Sequence, residues 1–175
     1  MPHNILLTGR PGVGKTTLIL RLLELLGRPA RGFYTRELRE RGVRLGFEAV
    51  RLDGRRAILA HVGMPSPWRV GKYYVQLPAF EAEILPAIEL EALPAQGILV
   101  IDEIGRMECL SSRFRQAVQG ALDADAPVLG TVGLQDDPFL RAVRSRPDVR
   151  LITVTPESRD RLVREIATWM EEEGW

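Results

Sequence analysis

A glycine-rich segment near the N-terminus constrains the fold of this chain more than any other feature. Residues 9–17 read GRPGVGKTT and fit the pattern G-x-x-x-x-G-K-[ST]. The apolar run Ile5-Leu6-Leu7 precedes the segment, and a leucine-rich stretch from Leu18 to Leu26 follows it. A strand, a glycine loop and a helix in this order are the context in which the pattern binds phosphate. The sequence therefore predicts an α/β fold that opens with this unit.

The residue types of this loop match the chemistry of a nucleoside triphosphate. Glycines allow backbone conformations that let successive N–H groups surround a phosphate chain, and the following helix adds its positive N-terminal end. Lys15 is expected to reach the β- and γ-phosphates, the Thr16 hydroxyl to bind Mg²⁺ and the Thr17 hydroxyl to contact the α-phosphate. The predicted nucleotide-binding residues of the loop are Gly9, Arg10, Pro11, Gly12, Val13, Gly14, Lys15, Thr16 and Thr17.

Lysine is rare in this chain, which makes its presence in the loop informative. Of the 24 Lys and Arg residues, only Lys15 and Lys72 are lysines. A compact ammonium fits between phosphate oxygens, whereas a planar guanidinium does not. The lysine at position 15 therefore supports a phosphate contact, and the role of Lys72 stays open.

A second candidate group follows the apolar run at residues 98–101. This run ends in Asp102 and Glu103. A carboxylate at the carboxyl end of a buried parallel strand lies in the crevice where α/β proteins bind ligands. Asp102 is expected to hold Mg²⁺ directly or through water, and Glu103 to orient the attacking water as a general base. An acidic pair that only leads into a helix is the alternative interpretation.

The strand at residues 127–132 supplies a further candidate. In P-loop ATPases with such an Asp-Glu pair, a strand lies between the phosphate-loop strand and the strand that ends in the carboxylates, and by analogy it is this one. Thr131 would then contact the nucleotide, unless it is only a strand residue with a satisfied hydroxyl. Arg10, Arg36 and Arg106 could each stabilise transition-state charge. Arg106 is the preferred third catalytic residue beside Lys15 and Glu103.

The rest of the chain alternates strands with helices, which predicts a mostly parallel sheet flanked by helices. Residues 37–61 are the exception: they read as an inserted antiparallel hairpin that turns at Asp53-Gly54, followed by a surface loop at 62–72. A helix is predicted from about Pro78 to Leu93. At 175 residues the chain is expected to form a single domain, 1–175.

Composition and charge exclude several classes. A net charge of +1 lacks the excess of positive charge that is typical of nucleic-acid-binding proteins, so a nucleic-acid partner is not expected. No apolar run approaches the roughly 18 residues of a membrane span, and the N-terminus lacks the features of a signal peptide. Cys109 is the single cysteine, so no internal disulfide can form. These features predict a cytoplasmic location and no membrane partner, and a monomer is expected.

Several motifs, in this order, resemble one family along almost the whole chain. They are Gly9 to Thr17, GFYTRE at 32–37, GKYYV at 71–75, DEIGRME at 102–108, GTV at 130–132 and TVTPESRD at 153–160. The set is similar to the small nucleoside-triphosphatases of thermophilic bacteria and archaea, whose vertebrate relatives are called cancer-related nucleoside-triphosphatase. The resemblance implies a RecA-like P-loop core and slow, Mg²⁺-dependent hydrolysis of ATP, GTP and other triphosphates, with poor base discrimination.

Two other functions stay open from the residues alone. One is a nucleotide or small-molecule kinase that uses residues 61–71 as a lid. The other is a nucleotide-switched module that binds nucleic acid. Its aromatic and basic surface would consist of Phe33, Tyr34, Arg36, Tyr73 and Tyr74. No motif reads the nucleobase, although Thr155-Pro156-Glu157 is a candidate wall of a base site.

Overall fold

One continuous β-sheet of nine strands organises residues 3–175, which are the residues that this computed structural model describes. The order across the sheet is β5-β6-β4-β3-β2-β7-β8-β1-β9. The strands are β1 (Asn4–Thr8), β2 (Ala30–Glu40), β3 (Val43–Arg51), β4 (Arg56–His61), β5 (Trp68–Val70), β6 (Tyr73–Val75), β7 (Ile98–Ile104), β8 (Val128–Val132) and β9 (Val149–Thr153).

Five strands of this sheet run parallel. They are β2, β7, β8, β1 and β9. Val128 of β8 pairs with Asn4 of β1 on one side and with Leu99 of β7 on the other, so the predicted position of β8 between those strands is confirmed. Every residue of β1 and β8 is buried, as expected for parallel strands covered on both faces. The carboxyl ends of β1, β7 and β8 therefore meet at one edge.

Two layers of helices cover the sheet. The helices are α1 (Lys15–Leu26), α2 (Leu77–Ile84), α3 (Ser112–Asp123), α4 (Pro138–Arg144) and α5 (Arg159–Glu172). Side chains alternate along β1, so Ile5 and Leu7 pack with α1 and α5, whereas Leu6 belongs to the core under α2, α3 and α4. No helix within residues 3–175 is long and apolar enough to cross a membrane. α1 and α5 thus share the face that carries the phosphate loop.

The remaining strands form an antiparallel extension that is larger than predicted. The turn at Asp53-Gly54 joins β3 to β4, which confirms the hairpin, but β5 and β6 continue the sheet beyond it. The prediction of a loop for residues 62–72 is wrong at Trp68–Val70, which is strand β5. Its three residues pair with β6 across Gly71, whose φ of 57° closes the turn. Three residues are too few to show the alternation of apolar and polar side chains by which a strand is predicted.

The predicted helix from Pro78 to Leu93 is also wrong over its second half. α2 ends at Ile84, and the chain continues as short 3₁₀ turns at Leu85–Ile88 and Leu90–Ala92. Pro86 explains the break, because proline has no N–H to donate and its ring clashes with the carbonyl four residues earlier.

Candidate active site

The glycine loop connects the carboxyl end of β1 to the start of α1. Gly9 adopts a φ of 142°, and a Cβ at this position would lie 2.6 Å from the carbonyl oxygen of Val154. The loop therefore rests directly on the connection between β9 and α5. A larger residue at position 9 would push the two backbones apart.

The N-terminus of α1 presents unpaired backbone donors. Gly14 precedes the helix with a φ of 104° and no side-chain cap. Within residues 3–175, the N–H groups of Gly14, Lys15, Thr16 and Thr17 have no backbone or side-chain acceptor. Unpaired N–H groups at a helix N-terminus, together with the helix dipole, form a binding site for anions.

The ammonium of Lys15 lies over this loop. Its Nζ donates to the carbonyl oxygens of Gly9 at 2.9 Å and Arg10 at 3.1 Å. Burial raises the pKa of both Asp102 and Glu103, and the positive charge of Lys15 offsets only part of that rise. The lysine head therefore stays on the loop carbonyls and acts electrostatically on the carboxylates at the end of β7.

Asp102 joins three elements through its carboxylate. One oxygen accepts from the Thr16 hydroxyl of α1 at 2.5 Å, and the other accepts from the Thr131 hydroxyl of β8 at 2.7 Å. Burial raises the pKa of Asp102 above its usual value, and these two hydrogen bonds offset part of the rise. The predicted residues Thr16, Asp102 and Thr131 are thus in direct contact with one another.

Two glutamates lie beside this cluster. A Cβ at Gly105 would stand 2.6 Å from Oε1 of Glu103 and 2.6 Å from Oε2 of Glu108, so both carboxyls border the same glycine. Burial, and then the charge of Asp102, raises the pKa of Glu103. Burial and the charge of Glu103 raise the pKa of Glu108 well above its usual value. No role was predicted for Glu108 from the sequence. Its position five residues after Glu103 is the sequence feature that could have indicated it.

The candidate arginines lie in different settings. Arg36 pairs with Glu48 at 2.7 Å in the antiparallel extension, which engages it away from the loop. Arg10 is exposed within the loop, and Arg106 is exposed in the turn after β7. Among residues 3–175, Arg106 makes no hydrogen bond or ion pair with Asp102 or Glu103, so its catalytic role stays a prediction.

The hypothesised aromatic and basic surface loses two of its aromatic residues, Phe33 and Tyr73, to the core, whereas Tyr34 and Tyr74 are half-buried and Arg36 is exposed. Phe33 is fully buried and packs edge-on against Phe80 and Phe114. Tyr73 is also buried, and its hydroxyl accepts from Arg44 at 2.8 Å. Alternation along a half-buried strand places these rings in the core, where they cannot stack on bases.

The oxygen donors at the loop fit a magnesium ion. Mg²⁺ in nucleotide sites takes one or two protein oxygens and completes its shell with phosphate oxygens and water. Thr16 and Asp102 supply a hydroxyl and a carboxylate that already converge. Across residues 3–175 no group of three His, Cys, Asp or Glu side chains forms an all-protein metal cluster. This donor set is therefore suited to a metal that arrives with a phosphate ligand.

Sequence comparisons place this chain among proteins of one kind. A family model described as NTPase matches residues 4–167. "Nucleoside-triphosphatase THEP1" of Thermotoga petrophila is 47% identical over 162 residues, which cover 93% of this chain and 89% of that protein. "Cancer-related nucleoside-triphosphatase" of Homo sapiens is 40% identical over 186 residues, which cover 98% of each chain.

Two solved structures match at the level of the whole fold. The crystal structure of THEP1 from the hyperthermophile Aquifex aeolicus superposes with a TM-score of 0.88 at 36% identity, covering 96% of this chain and 99% of that one. The solution structure of a human cancer-related nucleoside triphosphatase gives a TM-score of 0.81 at 41% identity, covering 98% of both.

Proposed function

This chain belongs to the NTPase family, and we propose from that premise that it hydrolyses nucleoside triphosphates to nucleoside diphosphate and phosphate. Its fold is that of a P-loop NTPase, as predicted, with a larger antiparallel extension. The observation that carries the proposal is the meeting of the loop donors with Asp102 and Glu103 at one edge of the sheet. We further propose that hydrolysis depends on Mg²⁺ and discriminates little among ATP, GTP and other triphosphates.

The loop and its lysine would hold the phosphate chain. The unpaired N–H groups of residues 14–17 are oriented before any substrate arrives, so they need no reorganisation during the reaction. Lys15 would exchange its contacts with Gly9 and Arg10 for the β- and γ-phosphate oxygens. These donors would stabilise the charge that develops on the transferring phosphoryl group.

Thr16 and Asp102 would hold the magnesium ion. When bound, Mg²⁺ would neutralise charge on the β- and γ-phosphate oxygens. Thr131 donates to the second oxygen of Asp102, which fixes the plane of the carboxylate. In this proposal Thr131 affects the nucleotide through Asp102.

Glu103 would act as the general base. It would accept a proton from the attacking water while the water oxygen bonds to the γ-phosphorus and the bond to the β–γ bridging oxygen breaks. Nucleoside diphosphate then leaves, and phosphate carries the new oxygen. A pKa raised by burial brings this carboxylate closer to the working pH, which favours proton transfer. We retain Arg106 as a candidate for an additional charge contact.

Replacement of Glu103 tests the assignment. Glu103→Gln is expected to reduce phosphate release by at least about 100-fold, the scale of one acid–base group, while retaining nucleotide binding. Glu171→Gln, an exposed change on α5, is the matched control and should behave as wild type. Near-normal turnover of Glu103→Gln would exclude it as the base. A wild-type protein that releases no phosphate from any triphosphate with Mg²⁺ would refute the function.

The kinase hypothesis is less well supported than hydrolysis. The relatives carry the name nucleoside-triphosphatase, and the Asp102–Glu103 pair suits attack by water. Incubation with labelled ATP and a panel of nucleosides and metabolites distinguishes the two, because stoichiometric label transfer to an acceptor would favour the kinase.

We also propose that the protein acts as a cytoplasmic monomer, folded as a single domain, on free nucleotides without a nucleic-acid partner. The net charge of +1 and the burial of Phe33 and Tyr73 support the last part. Light scattering after size exclusion tests the monomer, with a dimer mass as the contrary result.

A further inference from the structure

A cleft opens beside the phosphate loop, between the N-terminal ends of α1 and α5. It has a volume of about 180 Å³ and adjoins a second cleft of about 440 Å³. Ligand pockets commonly measure about 300–1,000 Å³, so the two together have room for a nucleoside. The residues that line the first cleft are Gly14, Thr17, Leu18, Arg21, Arg159, Asp160 and Val163.

The position of this cleft follows the expected direction of the phosphate chain. Thr16 and Asp102 mark the end of the loop where the β- and γ-phosphates would lie, which rests on the proposed function. Thr17, the next residue on the helix, lines the cleft. A triphosphate that runs from Asp102 towards Thr17 therefore delivers its nucleoside into this space.

Arg159 borders both the loop and the cleft. Its Cδ lies 3.3 Å from the point where a Cβ of Gly14 would stand, and its Nη1 is 3.5 Å from the carbonyl oxygen of Val13. Within residues 3–175 no carboxylate forms an ion pair with its guanidinium, unlike the neighbouring Arg161, which pairs with Glu165 at 2.9 Å. The guanidinium plane is therefore available to a ligand.

We propose that this cleft is the nucleoside subsite and that the Arg159 guanidinium stacks on the nucleobase. A guanidinium is planar and weakly hydrated, so it stacks on aromatic faces more readily than an ammonium does. Every base has a π-face, so stacking does not depend on which hydrogen-bond donors and acceptors lie at the edge of the base. This contact gives affinity for the nucleoside with little discrimination among bases.

Calorimetric titration of Mg²⁺-ATP, Mg²⁺-UTP and inorganic tripolyphosphate tests the proposal. Arg159→Ala is expected to weaken ATP binding roughly 10-fold, and UTP binding less because its ring is smaller. Tripolyphosphate binding should change less than about two-fold, because that ligand has no base. Arg159→Lys keeps the charge and removes the plane, so it should resemble Arg159→Ala. Arg161→Ala removes a positive charge from the same helix and should match wild type.

Three outcomes would overturn the proposal. Equal losses for ATP and tripolyphosphate would assign Arg159 to the phosphates. Full affinity in Arg159→Lys would show that charge alone matters, and unchanged ATP binding in Arg159→Ala would place the base elsewhere. Binding requires no turnover. A wild-type protein that binds ATP but releases no phosphate would therefore refute hydrolysis, while the binding titrations would still test the nucleoside subsite.

Discussion

Asp102 is a buried carboxylate whose two oxygens each accept one hydroxyl hydrogen bond, from Thr16 and Thr131. Thr131→Val keeps the side-chain shape but leaves one Asp102 oxygen without its donor. An unsatisfied buried acceptor costs about 1–3 kcal/mol, and more when it is charged, so the free energy of unfolding should fall by at least about 1 kcal/mol. Urea denaturation measures the loss. Thr131→Ser retains the hydroxyl and should lose less, and equal losses in both variants would contradict the hydrogen-bond explanation.

Glu108 makes stability depend on pH. Burial and the charge of Glu103 raise its pKa well above the usual 4.5, so the folded protein keeps a proton that the unfolded chain releases. Its contribution to stability is therefore complete below pH 4.5 and declines as the pH rises from there towards the folded-state pKa. Glu108→Gln cannot ionise. Relative to wild type, this variant should gain stability between pH 5 and pH 8.

Urea midpoints of Glu108→Gln and wild type at the two pH values measure this gain. Glu171→Gln, a change at an exposed position, should differ from wild type by a constant amount. A pH-independent difference for Glu108→Gln would show that its carboxyl does not hold the proton.

The loop and Asp102 were predictable because their signals are local: a fixed pattern, and a carboxylate directly after an apolar strand. The place of Thr131 at the same sheet edge followed once the strand order was inferred, but its hydrogen bond to Asp102 was not predicted. The positions of Glu108 and Arg159 were not predictable in this way. Glu108 reaches Glu103 only through the turn at Gly105, and Arg159 reaches Val13 across 146 positions because α5 packs on α1.

At the scale of single elements, the two glycines Gly32 and Gly120 should respond to alanine in opposite directions. Gly32 lies in β2 with a φ of 126°, and a Cβ there would clash with the Val100 carbonyl oxygen in β7. Gly32→Ala must separate two paired strands, so we expect a loss of at least about 2 kcal/mol. Gly120 is an exposed residue within α3, with no atom within 4 Å of an added Cβ. Gly120→Ala should stabilise the protein by about 0.5–1 kcal/mol.

Denaturant unfolding of both variants provides the measurement, each serving as the other's control. A destabilised Gly120→Ala would show that α3 differs from a regular helix at that residue. A Gly32→Ala variant as stable as wild type would contradict the close approach of β2 and β7.

Helices and strands were predicted correctly where the pattern of apolar residues extends over many positions. The helix α1 includes the whole leucine-rich stretch that predicted it and ends at Leu26. Prediction failed where one residue outweighs a pattern, as Pro86 does after α2. It also failed at β5, where three residues are too few to show alternation.

At the scale of the whole molecule, ligand binding and folding should be coupled through Mg²⁺. A ligand at 100 times its dissociation constant stabilises the folded state by about 2.7 kcal/mol. For a chain of this length that corresponds to a rise in Tm of roughly 5–10 °C. Calorimetry of Glu103→Gln with saturating ATP should show this rise with Mg²⁺, and EDTA should remove most of it. An equal rise in EDTA would contradict the metal assignment.

The glycine loop is bordered by residues that are synthesised much later. Val154 abuts Gly9, and Arg159 contacts Val13 from 146 positions further along the chain. On the ribosome, the glycine loop is therefore synthesised long before the segment that supports it. A nascent chain carries the complete loop sequence, yet the proposed nucleoside cleft cannot assemble until α5 has emerged, so nucleotide bound there would assist only the last steps of folding.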